Sequence, residues 1–182
     1  MAISERKKQP FKVLHRIALE KAREIHESPI EKLYSIDEYG DCYYAEGDAE
    51  KVRPTQAMIE RGIIDVHNHP AYLKTPISFS GEDVYTLLES PQKKEIIVSG
   101  YGFYFWMRKG TCIKNSAEVC THINEMREEI RINELKKIPL NISKKLSRKL
   151  FKEHIINTEI VYHKALAKYA REIGLTYGKA KL

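Results

Sequence analysis

Apolar residues recur at helical spacing at both ends of the chain. Near the start they predict a helix over residues 11–27, which Ser28-Pro29 would end. In the last third the same spacing predicts two longer helices, which are separated at Pro139 and end at Gly174. We therefore expect an N-terminal helix and a C-terminal helical pair.

The middle of the chain alternates between short helices and runs rich in β-forming residues. It predicts a turn at Gly40, a helix that begins at Ser80, and a hairpin around Gly100-Tyr101. The predicted strands cover residues 30–36, 42–45, 63–67, 94–99 and 102–107. Together these elements indicate an α/β (α+β) fold. The predicted segments are an N-terminal helical segment (1–28), an α/β core (29–110) and a helical appendage (111–182).

Composition narrows the class of protein. The chain has 182 residues, of which 42% are hydrophobic and 31% are charged, and this suits one compact domain with an appendage. It contains no apolar run of about 18 residues, and its charged start lacks the apolar stretch of a signal peptide, so we expect a soluble cytoplasmic protein. The cysteines are odd in number and form no C-x-x-C pair, which argues against a disulfide scaffold and a cysteine-only zinc site. They are Cys42, Cys112 and Cys120, which we expect to be free, buried thiols.

The positive charge of the chain lies in its last third. Residues 108–182 contain 17 Lys or Arg and 8 Asp or Glu, a net +9, whereas residues 1–107 contain 14 and 17, a net −3. Five cations cluster at the start of the last predicted helix: Lys144, Lys145, Arg148, Lys149 and Lys152. This cluster could bind a nucleic acid or an acidic protein, and the alternative is a solvated helix face.

One short segment carries the residue types of a metal site. In an extended chain, side chains two residues apart point the same way, so His67 and His69 leave the end of a strand on one face. Two imidazoles suit a divalent metal such as zinc, and a catalytic zinc site needs a third protein ligand. Asp83 is the natural third ligand, in the first turn of a helix capped by Ser80. The Ser-x-x-Asp spacing is also that of a capping box, in which both side chains bond backbone N–H groups.

Two of these stretches together resemble the signature of a known family. His67-Asn68-His69-Pro70 with Ser80-Gly81-Glu82-Asp83 is similar to the motif of the JAB/MPN (JAMM) zinc metalloproteases, in the form of their RadC-like and phage-associated branches. The resemblance covers about residues 30–107 and implies a JAB/MPN-like core at 29–110, with a mixed sheet of the cytidine-deaminase type flanked by helices. It also implies Zn²⁺ as cofactor and a protein or peptide substrate, a ubiquitin-like conjugate being one option.

The resemblance further implies roles for individual residues. His67, His69 and Asp83 would hold the zinc, and a glutamate on an early strand would accept the proton of the attacking water and return it to the leaving amine. Glu31 matches the place of that glutamate best, and the Ser80 hydroxyl would donate to the developing oxyanion. Other upstream glutamates remain alternatives to Glu31: Glu24, Glu27, Glu38 and Glu46. The resulting hypothesis is a zinc-dependent peptidase or isopeptidase.

The chain departs from the family pattern at two places. The step from His69 to Asp83 is about three residues longer than usual, and a loop at 71–77 can absorb the surplus without moving the ligands. Asn68 stands where the deubiquitinating members have a small hydroxyl residue. The second departure weakens the inference that ubiquitin is the substrate.

Other interpretations fit parts of the sequence. Asp65-x-His67-x-His69 also opens the barrels of amidohydrolase and PHP-type enzymes, but such a barrel needs about 250 residues, and only 113 follow His69. The letters His-Asn-His suggest an HNH nuclease, whose further ligand would be the distant His122. The third alternative is a non-catalytic JAB-like scaffold that binds through the basic helices. In the metalloprotease hypothesis, Asp65 either faces away from the histidines or supports one of them.

Overall fold

The computed structural model describes residues 6–49, 51–70, 78–99, 102–139 and 144–182, and at 144–148 and 152 it describes the backbone alone. The helices in these ranges are α1 (Phe11–Ile25), α2 (Gln56–Arg61), α3 (Gly81–Glu89), α4 (Ser116–Leu135) and α5 (Lys144–Glu172). The strands are β1 (Lys32–Ile36), β2 (Cys42–Glu46), β3 (Ile64–Asn68), β4 (Lys94–Ser99), β5 (Phe103–Arg108) and β6 (Thr176–Lys181). No described helix combines the length and the apolar character that crossing a membrane requires.

The described strands form one open, mixed sheet in the order β2-β1-β3-β4-β5-β6. Strands β3 and β4 are parallel, and every other neighbouring pair is antiparallel. The predicted α/β class is therefore confirmed as a mixed sheet flanked by helices. An open sheet with antiparallel neighbours differs from a closed barrel of parallel strands, so the amidohydrolase hypothesis loses its structural basis. The predicted turn at 100–101 and loop at 71–77 lie outside the described residues.

Helix α1 covers one face of the sheet. It begins after Pro10 and ends at Ile25, two residues before its predicted end. Its buried side chains recur every three or four residues and pack against alternate residues of the central strands. The cluster contains Leu14, Ala18, Ala22, Ile25, Ile36, Ile64, Val66, Ile96 and Val98.

Helices α3, α4 and α5 cover the opposite face. Their apolar side chains pack with those that point the other way from β4 and β5, since successive strand residues alternate between the two faces. This cluster includes Phe79, Val84, Leu87, Ile97, Phe105, Val119, Ile123, Tyr162 and Leu166. The protein therefore has three layers: one helix, the sheet, and three helices.

The last strand is the element that the sequence patterns miss. Gly174 ends α5 with φ 83°, as predicted, because glycine adopts this left-handed conformation without strain. The following residues then pair with β5 as strand β6, with Gly178 opposite Trp106. A Cβ at Gly178 would lie 2.6 Å from the Trp106 ring, so the close approach of the indole requires glycine. A polar edge strand has little apolar alternation, which explains why it was not predicted.

All three segments inferred from the sequence either pack on this sheet or supply strands to it. The N-terminal segment covers one face through α1, and the C-terminal segment supplies α4, α5 and the edge strand β6. The boundaries at 28/29 and 110/111 stay a prediction.

Candidate metal centre

Strand β3 presents different chemistry on its two faces. Ile64 and Val66 pack under α1, while Asp65, His67 and the following His69 line a pocket on the opposite face. Of the two options for Asp65, the one in which it faces away from the histidines is therefore wrong, because the same period of two places all three odd-numbered residues on one side. A supporting role for Asp65 stays a prediction. The Asp65 carboxylate accepts a hydrogen bond from the Gln92 side chain, and burial raises its pKa to about 7.

Helix α3 brings Asp83 to the end of β3. Ser80 caps the helix, and its Oγ accepts a hydrogen bond from the Asp83 backbone N–H at 3.2 Å. In return, Oδ2 of Asp83 accepts bonds from the Ser80 backbone N–H at 2.6 Å and from its hydroxyl at 2.8 Å. The capping box is thus present, and it also holds the Asp83 carboxylate in one orientation at the pocket.

The three predicted ligands converge. The Nε2 atoms of His67 and His69 are 3.0 Å apart, Oδ1 of Asp83 is 3.4 Å from Nε2 of His67, and Oδ2 of Asp83 is 3.6 Å from Nε2 of His69. Tetrahedral ligands at the zinc distance of about 2.0–2.1 Å lie roughly 3.3 Å from one another. Among the described residues, this is the one group of three His, Cys, Asp or Glu side chains close enough to share a metal ion. The residues fit zinc in donor type and in spacing.

Burial and nearby carboxylates determine the protonation of these groups. Burial lowers the pKa of His69 to about 4. Burial also disfavours the charged form of His67, but the Asp83 and Glu95 carboxylates outweigh it and raise the pKa of His67 well above its usual value. Burial would raise the pKa of Asp83, yet its contact with His67 lowers this pKa below its usual range. Asp83 is therefore ionised and His69 neutral at pH 7, the forms in which both bind metals.

Glu95 supports His67 from behind, and no sequence motif pointed to it. Its Oε1 lies 3.4 Å from Nδ1 of His67, the ring nitrogen on the other side from Nε2. Carboxylate partners of this kind orient a metal-binding imidazole. Burial raises the pKa of Glu95 to about 7. The available signal was an acidic residue directly before the apolar run Ile96–Val98 in β4.

Glu31 comes directly before β1 and lines the same pocket as the three ligands. The pKa of its carboxyl is raised overall. Burial is the main cause and the Asp83 carboxylate adds to it, while the charge of His67 acts in the opposite direction. The alternative glutamates lie outside this pocket and pair with other side chains: Glu24 with Lys21, Glu27 with His26, Glu38 with Lys8, and Glu46 with Lys32. The geometry favours Glu31 among them, and its catalytic role stays a prediction.

Asn68 ties the segment that carries Glu31 to strand β3. Its side chain is fully buried, and its Oδ1 accepts a hydrogen bond from the Lys32 backbone N–H at 2.7 Å. Its Nδ2 donates to the carbonyls of Ser28 at 3.2 Å and Ile30 at 3.0 Å. A serine or threonine hydroxyl has one donor and could not make both of the donated bonds. The asparagine between the histidines therefore has a structural use in this chain.

Helix α4 forms another wall of the pocket, which has a volume of about 610 Å³. Asn124 contacts the start of α3, where its Oδ1 accepts from the Gly81 N–H at 3.1 Å and its Nδ2 donates to Glu82 at 2.9 Å. A Cβ at Gly81 would lie 2.5 Å from the Cys120 carbonyl oxygen, so only glycine allows α4 to pack this closely. One turn after Asn124, Arg127 reaches the pocket, and no pattern in the sequence pointed to it.

Other predicted residues lie away from this centre. His122 packs against Tyr169, with ring centroids 4.3 Å apart and the rings tilted. It does not line the pocket, so the HNH hypothesis lacks its further ligand. In the basic cluster, Lys149 is exposed and lies 3.8 Å from Glu153. The side chains of the other four cations lie outside the described residues, and their binding to nucleic acid or an acidic protein stays a prediction. The three cysteines are free, but the expectation that they are buried is wrong, since Cys42 is exposed and Cys112 and Cys120 are partly exposed.

Comparison of the chain with protein-family models, with curated proteins and with solved structures finds no match. The mixed sheet flanked by helices is the part of the expected fold that the structure shows. The resemblance to the JAB/MPN metalloproteases depends on the motif, and membership of that family is a proposal.

Proposed function

We propose that the protein is a zinc-dependent hydrolase of the JAB/MPN type that cleaves a peptide or isopeptide bond. The observation that carries this proposal is the convergence of His67, His69 and Asp83, whose facing atoms are 3.0 to 3.6 Å apart. This spacing is close to the roughly 3.3 Å between ligands of tetrahedral zinc. A pocket with room for a substrate opens directly beside the three side chains.

Zinc held there would supply a Lewis acid that activates water and polarises the scissile carbonyl. The residues around it would manage the protons. Glu31, half-buried at the pocket, accepts a proton from the attacking water and returns it to the leaving amine. Glu95 keeps the His67 ring oriented through its contact with Nδ1.

Ser80 would serve the same reaction in two ways. Its hydroxyl and its backbone N–H both donate to Oδ2 of Asp83, so the hydroxyl can turn towards a substrate oxygen while the N–H still satisfies the carboxylate. In this proposal the hydroxyl stabilises the developing oxyanion.

Metal analysis is the primary test. Purified wild type should contain about one zinc per chain, and both His67→Ala and Asp83→Ala should lose it, because each removes one of three ligands. His122→Ala is the matched control, since this exposed histidine of α4 lies outside the pocket. A wild-type protein that binds no zinc would contradict the proposal.

The role of Glu31 is tested by cleavage of a peptide and isopeptide library. Glu31→Gln should keep its zinc and lose about 10²–10⁴ in cleavage rate, the typical contribution of a general base. Glu24→Gln, an exposed glutamate paired with Lys21, should cleave at the wild-type rate. Unchanged cleavage by Glu31→Gln would exclude Glu31 as the base.

A further inference from the structure

Arg127 brings a positive charge into a mainly acidic pocket. It is one of two Lys or Arg residues among the described lining residues, and the other, Lys51, is exposed. The acidic lining residues are Glu31, Asp65, Glu82, Asp83 and Glu95. None of the roles proposed above uses this arginine.

Two contacts with α5 hold the guanidinium in place. Its Nη2 donates to Oε1 of Glu159 at 2.8 Å, and its central carbon lies 5.0 Å from the centroid of the Tyr162 ring. Tyr162 is itself fully buried, and its hydroxyl donates to the Phe79 carbonyl at 2.6 Å. Because Phe79 precedes the residue that caps α3, the scaffold that positions the arginine also contacts the segment leading to Asp83.

Among the described residues, Arg127 uses little of its hydrogen-bonding capacity. A guanidinium has five N–H donors, and within the described ranges its only hydrogen bond is the one to Glu159. Its side chain is 31% exposed, against 10% for Glu159, and it lines both the pocket of the three candidate ligands and a smaller cavity of about 240 Å³ that Glu159 also lines.

We propose that Arg127 binds a carboxylate of the substrate beside the scissile bond. This inference rests on the proposed function, because it names the substrate class of the same site: a peptide with a free C-terminal carboxylate or an acidic side chain next to the cleaved bond. The planar guanidinium matches a carboxylate through two parallel hydrogen bonds, which an ammonium group cannot reproduce. Glu159 is a positioning residue that keeps the guanidinium turned towards the pocket.

Equilibrium binding of matched peptides tests the inference. One pair consists of N-acetylated alanine peptides that end in a carboxylate or an amide, and the second pair consists of amide peptides with a single Glu or Gln. Wild type should bind the charged member of at least one pair about tenfold more tightly, as expected for hydrogen bonds between charged groups. The pair that shows the preference identifies the source of the carboxylate. Equal affinities within both pairs would overturn the inference.

Variants of Arg127 and its neighbours test whether Arg127 causes the preference for charged peptides. The double variant Arg127→Met/Glu159→Gln should lose it, and the second change avoids leaving a buried carboxylate unpaired. Arg127→Lys keeps the charge without the planar fork, so its preference should fall several-fold, and it decides the test if the double variant fails to fold. Arg131→Met is the control, because Arg131 lies one turn further along α4, is paired with Glu128 and does not line this pocket. A preference that survives in Arg127→Lys and in the double variant would overturn the inference.

Measuring this binding with and without zinc separates the two proposals. Carboxylate recognition by Arg127 does not require the metal. A wild type that binds no zinc but prefers the charged peptides would contradict the proposed hydrolase and support the role of Arg127. A zinc-containing wild type that cleaves peptides without any preference would contradict only the role of Arg127.

Discussion

Around β3 and the start of β4, both faces of the sheet are buried, but one carries apolar side chains and the other carries ionisable ones. On the α1 face, Val66 and Ile96 are fully buried among apolar side chains. On the other face, their neighbours Asp65, His67 and Glu95 are only 4–6% exposed and are ionisable. Burial favours the apolar residues and penalises the charged ones, as the raised pKa values of Asp65 and Glu95 show. At Asp65, His67 and Glu95 the second face therefore accepts a cost of the kind that concentrates at functional sites, although Ile97 and Phe105 on the same face belong to an apolar core.

Ile96→Ala should have the largest effect on stability. Ile96 is fully buried under α1, and the cavity left by this change should lower the free energy of unfolding by about 2–5 kcal/mol. Zinc content should remain that of wild type, because the side chain points away from the ligands. Urea unfolding followed by circular dichroism measures the loss, and Ile59→Ala, at a position 45% exposed, should change stability by less than about 0.5 kcal/mol. Loss of zinc in folded Ile96→Ala would show that the two faces are not separable.

Asn68→Ala should lower both the stability of the fold and the rate of cleavage. It removes three hydrogen bonds to the backbone on either side of Glu31, and the groups left unpaired should lower the free energy of unfolding by about 2–4 kcal/mol. Cleavage should fall as well, because Glu31 would lose its fixed position relative to β3. Urea unfolding and the library assay report the two effects, with Asn133→Ala, an exposed residue of α4, as control. Wild-type cleavage by Asn68→Ala would exclude this positioning role.

Glu95→Gln should weaken the metal site with little effect on the fold. Loss of the carboxylate behind His67 should reduce zinc affinity by about 10–100-fold. The free energy of unfolding of the metal-free protein should stay the same or rise, because a neutral amide replaces a buried carboxylate. Competition with a chelator measures the affinity. Glu82→Gln, at an exposed pocket residue bonded to Asn124, should bind zinc like wild type, and an equal loss in both variants would contradict the role of Glu95.

Lys94→Met should have the smallest effect on stability, and the size of this effect depends on pH. Burial, with a contribution from Arg108, lowers the pKa of Lys94 to about 8 from 10.5, so between pH 8 and 10.5 the unfolded chain binds more protons and stability rises with pH. Below pH 8 the buried cation is destabilising, and the apolar replacement should raise the free energy of unfolding by about 1–2 kcal/mol, or Tm by roughly 2–8 °C.

Thermal unfolding at pH 7 and pH 10 checks this dependence of stability on pH. The advantage of Lys94→Met over wild type should shrink at the higher pH, because the lysine is then neutral in the folded protein. The exposed neighbour provides the control, and Lys93→Met should show no such pH-dependent difference. An advantage that grows with pH would contradict the lowered pKa of Lys94.

The elements that the sequence predicted well are those with strong apolar periodicity. Strand β4 has its predicted bounds, and α1 begins where expected. The convergence of His67, His69 and Asp83 was also accessible, because His67 lies in β3, His69 directly follows this strand and Asp83 lies in the first turn of α3, so local spacing is enough to relate them. Strand β6 was missed because an edge strand with lysines on its exposed side has almost no apolar signal.

Local spacing determined the types of the candidate ligands, the helix cap and the positions of the first five strands along the chain, because each depends on residues close together in the chain. Only the tertiary structure decided which groups surround those ligands. Glu95 reaches His67 through the parallel pairing of β3 and β4, and Arg127 reaches the pocket because Gly81 lets α4 pack against α3. Such contacts join residues far apart in the chain, and no sequence period records them. Pairing of strands and packing of helices therefore complete a site whose ligands the sequence already contains.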